Sequence, residues 1–177
     1  PVAIALLVVC GGIGLYWLIG DTEGGSVGAE LEDTPDPWDE RVPEELATAH
    51  EQIESGEPMD EDTTSSVRAY AWANEDDPRP YLLEGHSLFA KKRRVMAIAR
   101  YTRAYEIDPG ARGDPRMLEN LIRLAASSNT NEPASNAIED IYGEEAVPAI
   151  EHALESPGSL PSGGGARLRQ LRDQLSG

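Results

Sequence analysis

Cysteine is almost absent from this sequence: one residue, Cys10, in 177. A single thiol excludes an intramolecular disulfide and any cysteine-based zinc site. Phenylalanine is equally scarce, with one residue, and bases are outnumbered 15 to 32 by acids, giving a net charge of −17. Such a balance lacks the basic footprint that phosphate backbones require, which argues against nucleic acid as a partner. Catalytic signatures are missing too. No nucleophile-elbow pattern occurs, and no kinase motif: no glycine-rich loop, no His-Arg-Asp, no Asp-Phe-Gly. His50, His86 and His152 fall on three different expected helices, none with a histidine four residues on or a cysteine partner, so no metal site is expected. Gly163-Gly164-Gly165 precedes a helix but lacks a following Lys-Ser/Thr and a preceding strand, which makes it a turn rather than a phosphate loop. No cofactor and no small-molecule substrate are expected, and the chain is not expected to be an enzyme.

What is present is strongly segregated. Val2 to Ile19 run without a charge, long enough at about 1.5 Å per residue to span most of a hydrocarbon core of roughly 30 Å. Tyr16 and Trp17 stand near its end, where amphipathic rings favour the headgroup layer. Residues 1–20 are therefore expected to form one transmembrane helix. A cleaved signal peptide would need a basic start and small residues before its cleavage site, and neither is seen. A lipoprotein reading of Cys10 is weakened by the bulk of Val9 before it. The opening at Pro1, inside the apolar run, suggests an upstream segment. The acidic stretch that follows points to a remainder that faces away from the cytoplasm.

Residues 21–62 hold sixteen acids and the single base Arg41, which leaves the low pI looking like a property of a linker. Within 21–43, glycines and prolines accompany the acids. Too little apolar surface remains to offset chain entropy, so 21–43 is expected to be a disordered, self-repelling spacer. Trp38 is either an incidental residue at the domain edge or a docking anchor.

From Pro43 the pattern becomes helical. Pro43-Glu44-Glu45 opens a first helix, with Leu46, Ala49, His50 and Ile53 at helical spacing and Gly56 as its stop. A second helix is expected over Ser65 to Asn74, with Val67, Tyr70 and Ala71 inward. Further helices are expected over Pro115 to Ala126, Pro133 to Tyr142, Ala146 to Glu155 and Ala166 to Leu175.

The most informative stretch runs from Pro78 to Pro109. Tyr81, Gly85, Leu88, Ala97, Tyr101, Ala104 and Pro109 are spaced as in a tetratricopeptide repeat (TPR), a helix–turn–helix unit of about 34 residues, which residues 78–111 resemble. Glu84 departs from the pattern, standing where leucine is usual. Small Gly85 and Ala97 are expected to face each other so that two antiparallel helices approach closely. The 44–75 pair looks like a degenerate copy, and the run Ala146 to Leu154 is similar to helices of HEAT-type repeats, capping the array. The expected architecture is all-α: a transmembrane helix, a spacer, and a TPR-like domain over 44–177 with a HEAT-like cap.

The resemblance implies a protein-binding module whose groove meets a protein or peptide ligand around Tyr81, His86 and Phe89. The basic run Lys91, Lys92, Arg93 and Arg94 falls at the turn of the clear repeat. It is either a solvated turn contacting the chain's own acidic linker or a docking patch for an acidic peptide. The order of membrane helix, acidic linker and repeat also resembles the C-terminal half of bacterial membrane serine/threonine kinases. The alternative function is thus the sensory or regulatory end of such a kinase, with its catalytic domain before Pro1.

Overall fold

A computed structural model describes residues 34–156 and 160–177; the expected membrane helix and residues 21–33 of the spacer lie outside the described residues. The described chain is all-α, with no strand, and no helix in it is long and apolar enough to cross a membrane. Eight helices follow in order: α1 (Glu44–Glu54), α2 (Glu61–Ala73), α3 (Arg79–Ala90), α4 (Arg94–Ile107), α5 (Pro115–Ala125), α6 (Asn131–Tyr142), α7 (Val147–Glu155) and α8 (Gly164–Leu175). Two 3-10 turns, Pro109–Gly113 and Gly143–Ala146, lie between α4 and α5 and between α6 and α7.

Consecutive helices pair into hairpins, α1 with α2, α3 with α4, α5 with α6 and α7 with α8. The hairpins stack so that α1 touches α3, α3 touches α5 and α5 touches α7, while α4 touches α6. The odd-numbered helices therefore form one continuous row, as in helical-repeat architectures.

The helix ends follow local chemistry. Asp60 accepts the Thr63 N–H at 2.7 Å and caps α2, so this helix starts four residues before the expected Ser65. The acids at 60–62 are its cap and first turn. Asp114 caps α5 in the same way, accepting the Met117 N–H at 2.9 Å, with Pro115 in the first helical position. α3 closes on Lys92, which holds a left-handed φ of 60°. The Arg93 N–H reaches back to the Leu88 carbonyl at 2.8 Å, a Schellman closure with lysine where glycine is usual.

Gly85 does not meet Ala97 as its nearest neighbour. A Cβ built on it would collide with the ring of Tyr101. The glycine makes room for a fully buried tyrosine ring, not for a second small residue. Glu84, the departure from the repeat pattern, is buried between three helices and paired with Arg68 of α2 at 2.8 Å and Arg100 of α4 at 2.7 Å. A leucine there would leave these guanidinium groups without their shared carboxylate.

Two clusters of buried side chains make up the core. The main one runs from Leu82 and Tyr101 through α5 and α6 to Leu168 and Leu171 of α8. A smaller one holds Leu46, Ala49 and Ile53 of α1, Met59, Val67 of α2 and Leu83 of α3. Adjacent Leu82 and Leu83 face different clusters, so α3 is the wall between them.

Residues 34–43 overturn the expectation that the spacer is disordered up to Pro43. They form a strap packed on the helices. The Pro35 carbonyl lies so close to Gly113 that a Cβ there would collide with it. Arg112 Nε donates to Thr34 Oγ1 at 3.1 Å, and Trp38 packs against both clusters. The physical reason is that one large ring covering a seam between two cores supplies the apolar burial that the acids around it lack.

Candidate functional site

The strap, α3 and α5 converge on one buried carboxylate. Because Asp114 caps α5, its Oδ1 is held by the Met117 N–H. Its Oδ2 accepts Trp38 Nε1–H at 2.9 Å and lies 3.0 Å from His86 Nε2. On the far side of the imidazole, His86 Nδ1 is 3.0 Å from the Tyr101 hydroxyl, which accepts the Asn120 side-chain N–H at 2.9 Å. Asn120 donates to the Tyr101 hydroxyl, Tyr101 and His86 Nδ1 share a hydrogen bond, and the His86 Nε2–H donates to the Asp114 carboxylate. Burial opposes ionisation of Asp114, yet His86, the Trp38 indole and the Met117 N–H outweigh it and hold the carboxyl below its ordinary range. Burial pushes the Tyr101 phenol up, so it remains a hydroxyl donor.

This network borders a cleft of about 220 Å³. Ile53, Leu83 and Pro115 give it apolar walls, and Asp36, Glu54, Asp114, Arg116 and His50 its polar ones, with Trp38 and His86 completing the lining. The Trp38 and His50 rings lie 4.5 Å apart. Arg116 is held by Glu54 at 3.0 Å and by the Ile53 carbonyl at 2.8 Å. Asp36 accepts the Trp38 backbone N–H at 3.0 Å. Its carboxyl is raised above the ordinary range, chiefly by burial and then, against that hydrogen bond, by the nearby charges of Asp114, Asp39 and Glu54.

The residues singled out from the sequence are not brought together. His86 lines the cleft, but both ring nitrogens are engaged within the buried network. Tyr81 turns toward α4, with Arg100 and Arg103 at 5.9 and 6.0 Å from its ring centre. Phe89 packs half-buried against the main cluster. The basic turn is divided. Lys91 Nζ donates to the Met59 carbonyl at 2.6 Å and Arg94 to Ser127 Oγ at 3.0 Å, tying the α3–α4 turn to the connections before and after it. Lys92 and Arg93 stay exposed. The described strap residues run to Arg112, Asp114 and Arg79, not to this turn.

No protein-family model, curated protein or solved structure matches the chain. Its reading therefore rests on its own geometry.

Sequence reasoning missed Asp114, Asn120, Asp36 and Glu54. The signal available for Asp114 was Asp114-Pro115 opening an apolar stripe, a cap followed by proline at the first helical position. Nothing local marks the other three. Chemically the arrangement offers a recessed apolar slot rimmed by carboxylates. Among the described residues no group of three or more His, Cys, Asp or Glu is arranged to hold a metal ion.

Proposed function

We propose that this protein is a protein–protein interaction module built from TPR-like helical hairpins, held to a membrane through residues 1–20. The observation that carries this reading is the strap. A ten-residue segment without helix or strand, 34–43, turning at Asp36 to Asp39, is accepted on the face made by α1, α3 and α5, with an indole anchored on a buried carboxylate. A face that accommodates a segment of its own chain, and leaves a cleft beside it, has the shape and hydrogen-bonding groups to accommodate a segment of another chain. The HEAT-like reading of α7 and α8 belongs to the same proposal, as a cap on the last hairpin.

The test is selection of peptides from a random display library on the full chain, followed by mapping of the selected peptides by amide and indole NMR shifts. The expected outcome is perturbation of Trp38, His50 and Leu83. Selected peptides that shift only residues on α2, α4 or α6 would overturn the proposed face. Membrane attachment is tested separately, by liposome co-flotation of the full chain and its resistance to alkaline carbonate.

A further inference from the structure

The cleft beside Trp38 has a chemistry more specific than its size. About 220 Å³ is below the roughly 300–1,000 Å³ of pockets that enclose whole drug-sized ligands, and suits one long side chain. Its walls at Ile53, Leu83 and Pro115 suit an aliphatic stem. The carboxylates at its rim are unequal. Both oxygens of Asp114 are taken, by Met117, Trp38 and His86. Glu54 is paired with Arg116 at 3.0 Å, with His50 at 3.9 Å on its other oxygen. Asp36 has no cation partner among the described residues; its one hydrogen bond there, from the Trp38 N–H, falls on Oδ1.

The surroundings fix the sign of the guest. Residues 36–62, which build the strap, α1 and the start of α2, carry eleven acids against Arg41 alone, a net −10, and the guanidinium on the cleft wall, Arg116, is already paired with Glu54. An acidic guest would enter against that field, and a neutral one would leave Asp36 unpartnered. A divalent metal requires several converging oxygens, and only Asp36 has one to spare. A cation carried on an aliphatic stem meets every condition at once.

Resting on the peptide-binding reading above, we propose that this cleft takes a basic side chain, arginine or lysine, from a partner peptide. The stem lies on Ile53, Leu83 and Pro115, and the head group reaches the carboxylate of Asp36, with Glu54 beside it. Burial first, and then the neighbouring acids, raise the Asp36 carboxyl, and an entering cation opposes that rise.

The experiment uses the full chain and four acetylated, amidated heptapeptides, Ser-Gly-Leu-Xaa-Leu-Gly-Ser, with Xaa as Arg, Lys, norleucine or Glu. Binding is followed by the Trp38 indole N–H and the His50 ring signals. The arginine and lysine peptides are expected to bind about tenfold or more tighter than the norleucine peptide, a difference of about 1.4 kcal/mol, and the glutamate peptide to leave both signals unmoved. Asp36→Asn is expected to abolish the difference in affinity between the arginine and norleucine peptides; a difference that persists in this variant overturns Asp36 as the partner of the head group. Equal affinity of the arginine and norleucine peptides overturns the basic preference while the peptide face survives. Peptides that bind without moving Trp38 or His50 overturn the cleft. Failure of every peptide here, and of display selection on the same protein, removes the peptide-binding reading itself.

Discussion

The first hairpin with its strap and the three hairpins after it are built differently. Residues 36–62 carry a net −10, whereas residues 63–177 carry −2. The small cluster under α1 and α2 has six buried side chains and borrows Leu83 from α3, while the main cluster is continuous from α3 to α8. The first hairpin also shows the largest exposed apolar residue, Trp72, at 83 %. Like charges crowded over a small core lower local stability, so this region is expected to open before the rest. What holds it is shared: Leu83 from below, and the Trp38–Asp114 bond across the strap. The cleft lies at that seam, between a soft acidic element and a firm neutral one.

The change expected to break this comparison most completely is Asp114→Ala, because Asp114 serves both regions. It strands the Trp38 indole, His86 and the Met117 N–H in a buried setting, a loss of about 3–5 kcal/mol by denaturant unfolding. Its pH signature follows from the sign of its shift. The folded carboxyl titrates below the unfolded one, so its contribution is fully present above about pH 4 and is lost as pH falls through the folded value. Asp114→Asn should therefore unfold with a shallower acid limb than the parent.

Gly85→Ala attacks the main core alone. The Tyr101 ring it meets is fully buried and held by His86 and Asn120, so it has little room to yield. A cost of about 1–3 kcal/mol is expected, seen as a lower Tm, and Gly85→Leu should be worse. An unchanged Tm would remove the close approach of α3 to α4 from the argument.

Trp38→Ala tests the seam. The indole is half-buried, so a loss of about 2 kcal/mol is expected, somewhat under the cost of truncating a fully buried tryptophan. The telling measurement is hydrogen exchange. Amides of α1 and α2 should lose protection while α5 and α6 keep theirs; equal loss everywhere would mean that the two regions unfold as one.

The smallest change has the opposite sign. The Tyr142 hydroxyl is buried without a hydrogen-bond partner among the described residues. Tyr142→Phe should therefore raise stability by up to about 1 kcal/mol, with exchange in the first hairpin unaffected.

Much of this protein is legible in its sequence because it rests on local chemistry. The eight helices lie close to their expected places. Apolar spacing along one face, proline at helix starts and glycine at stops act within a few residues of themselves. The misses have one cause, which is distance along the chain. An acidic run reads as spacer, which puts the expected start of α2 at Ser65 although Asp60 caps the helix at the Thr63 N–H. The repeat spacing holds both Gly85 and Tyr101 but carries no sign that the one makes room for the other. Glu84 looked like a defect in the repeat until Arg68 and Arg100 arrived from two other helices.

The sequence by itself determined the helix pattern, the scarcity of bases and the exclusion of an intramolecular disulfide, since each is a property of composition or short-range spacing. Only the tertiary structure decided that the acids of 36–62 belong to a folded hairpin and its strap, and that Lys91 and Arg94 are ties between neighbouring turns. It alone decided that Trp38 reaches Asp114, 76 positions away. Burial makes such a bond count, because a carboxylate taken from water must find its donors wherever the fold delivers them, and spacing along the chain carries no record of that delivery.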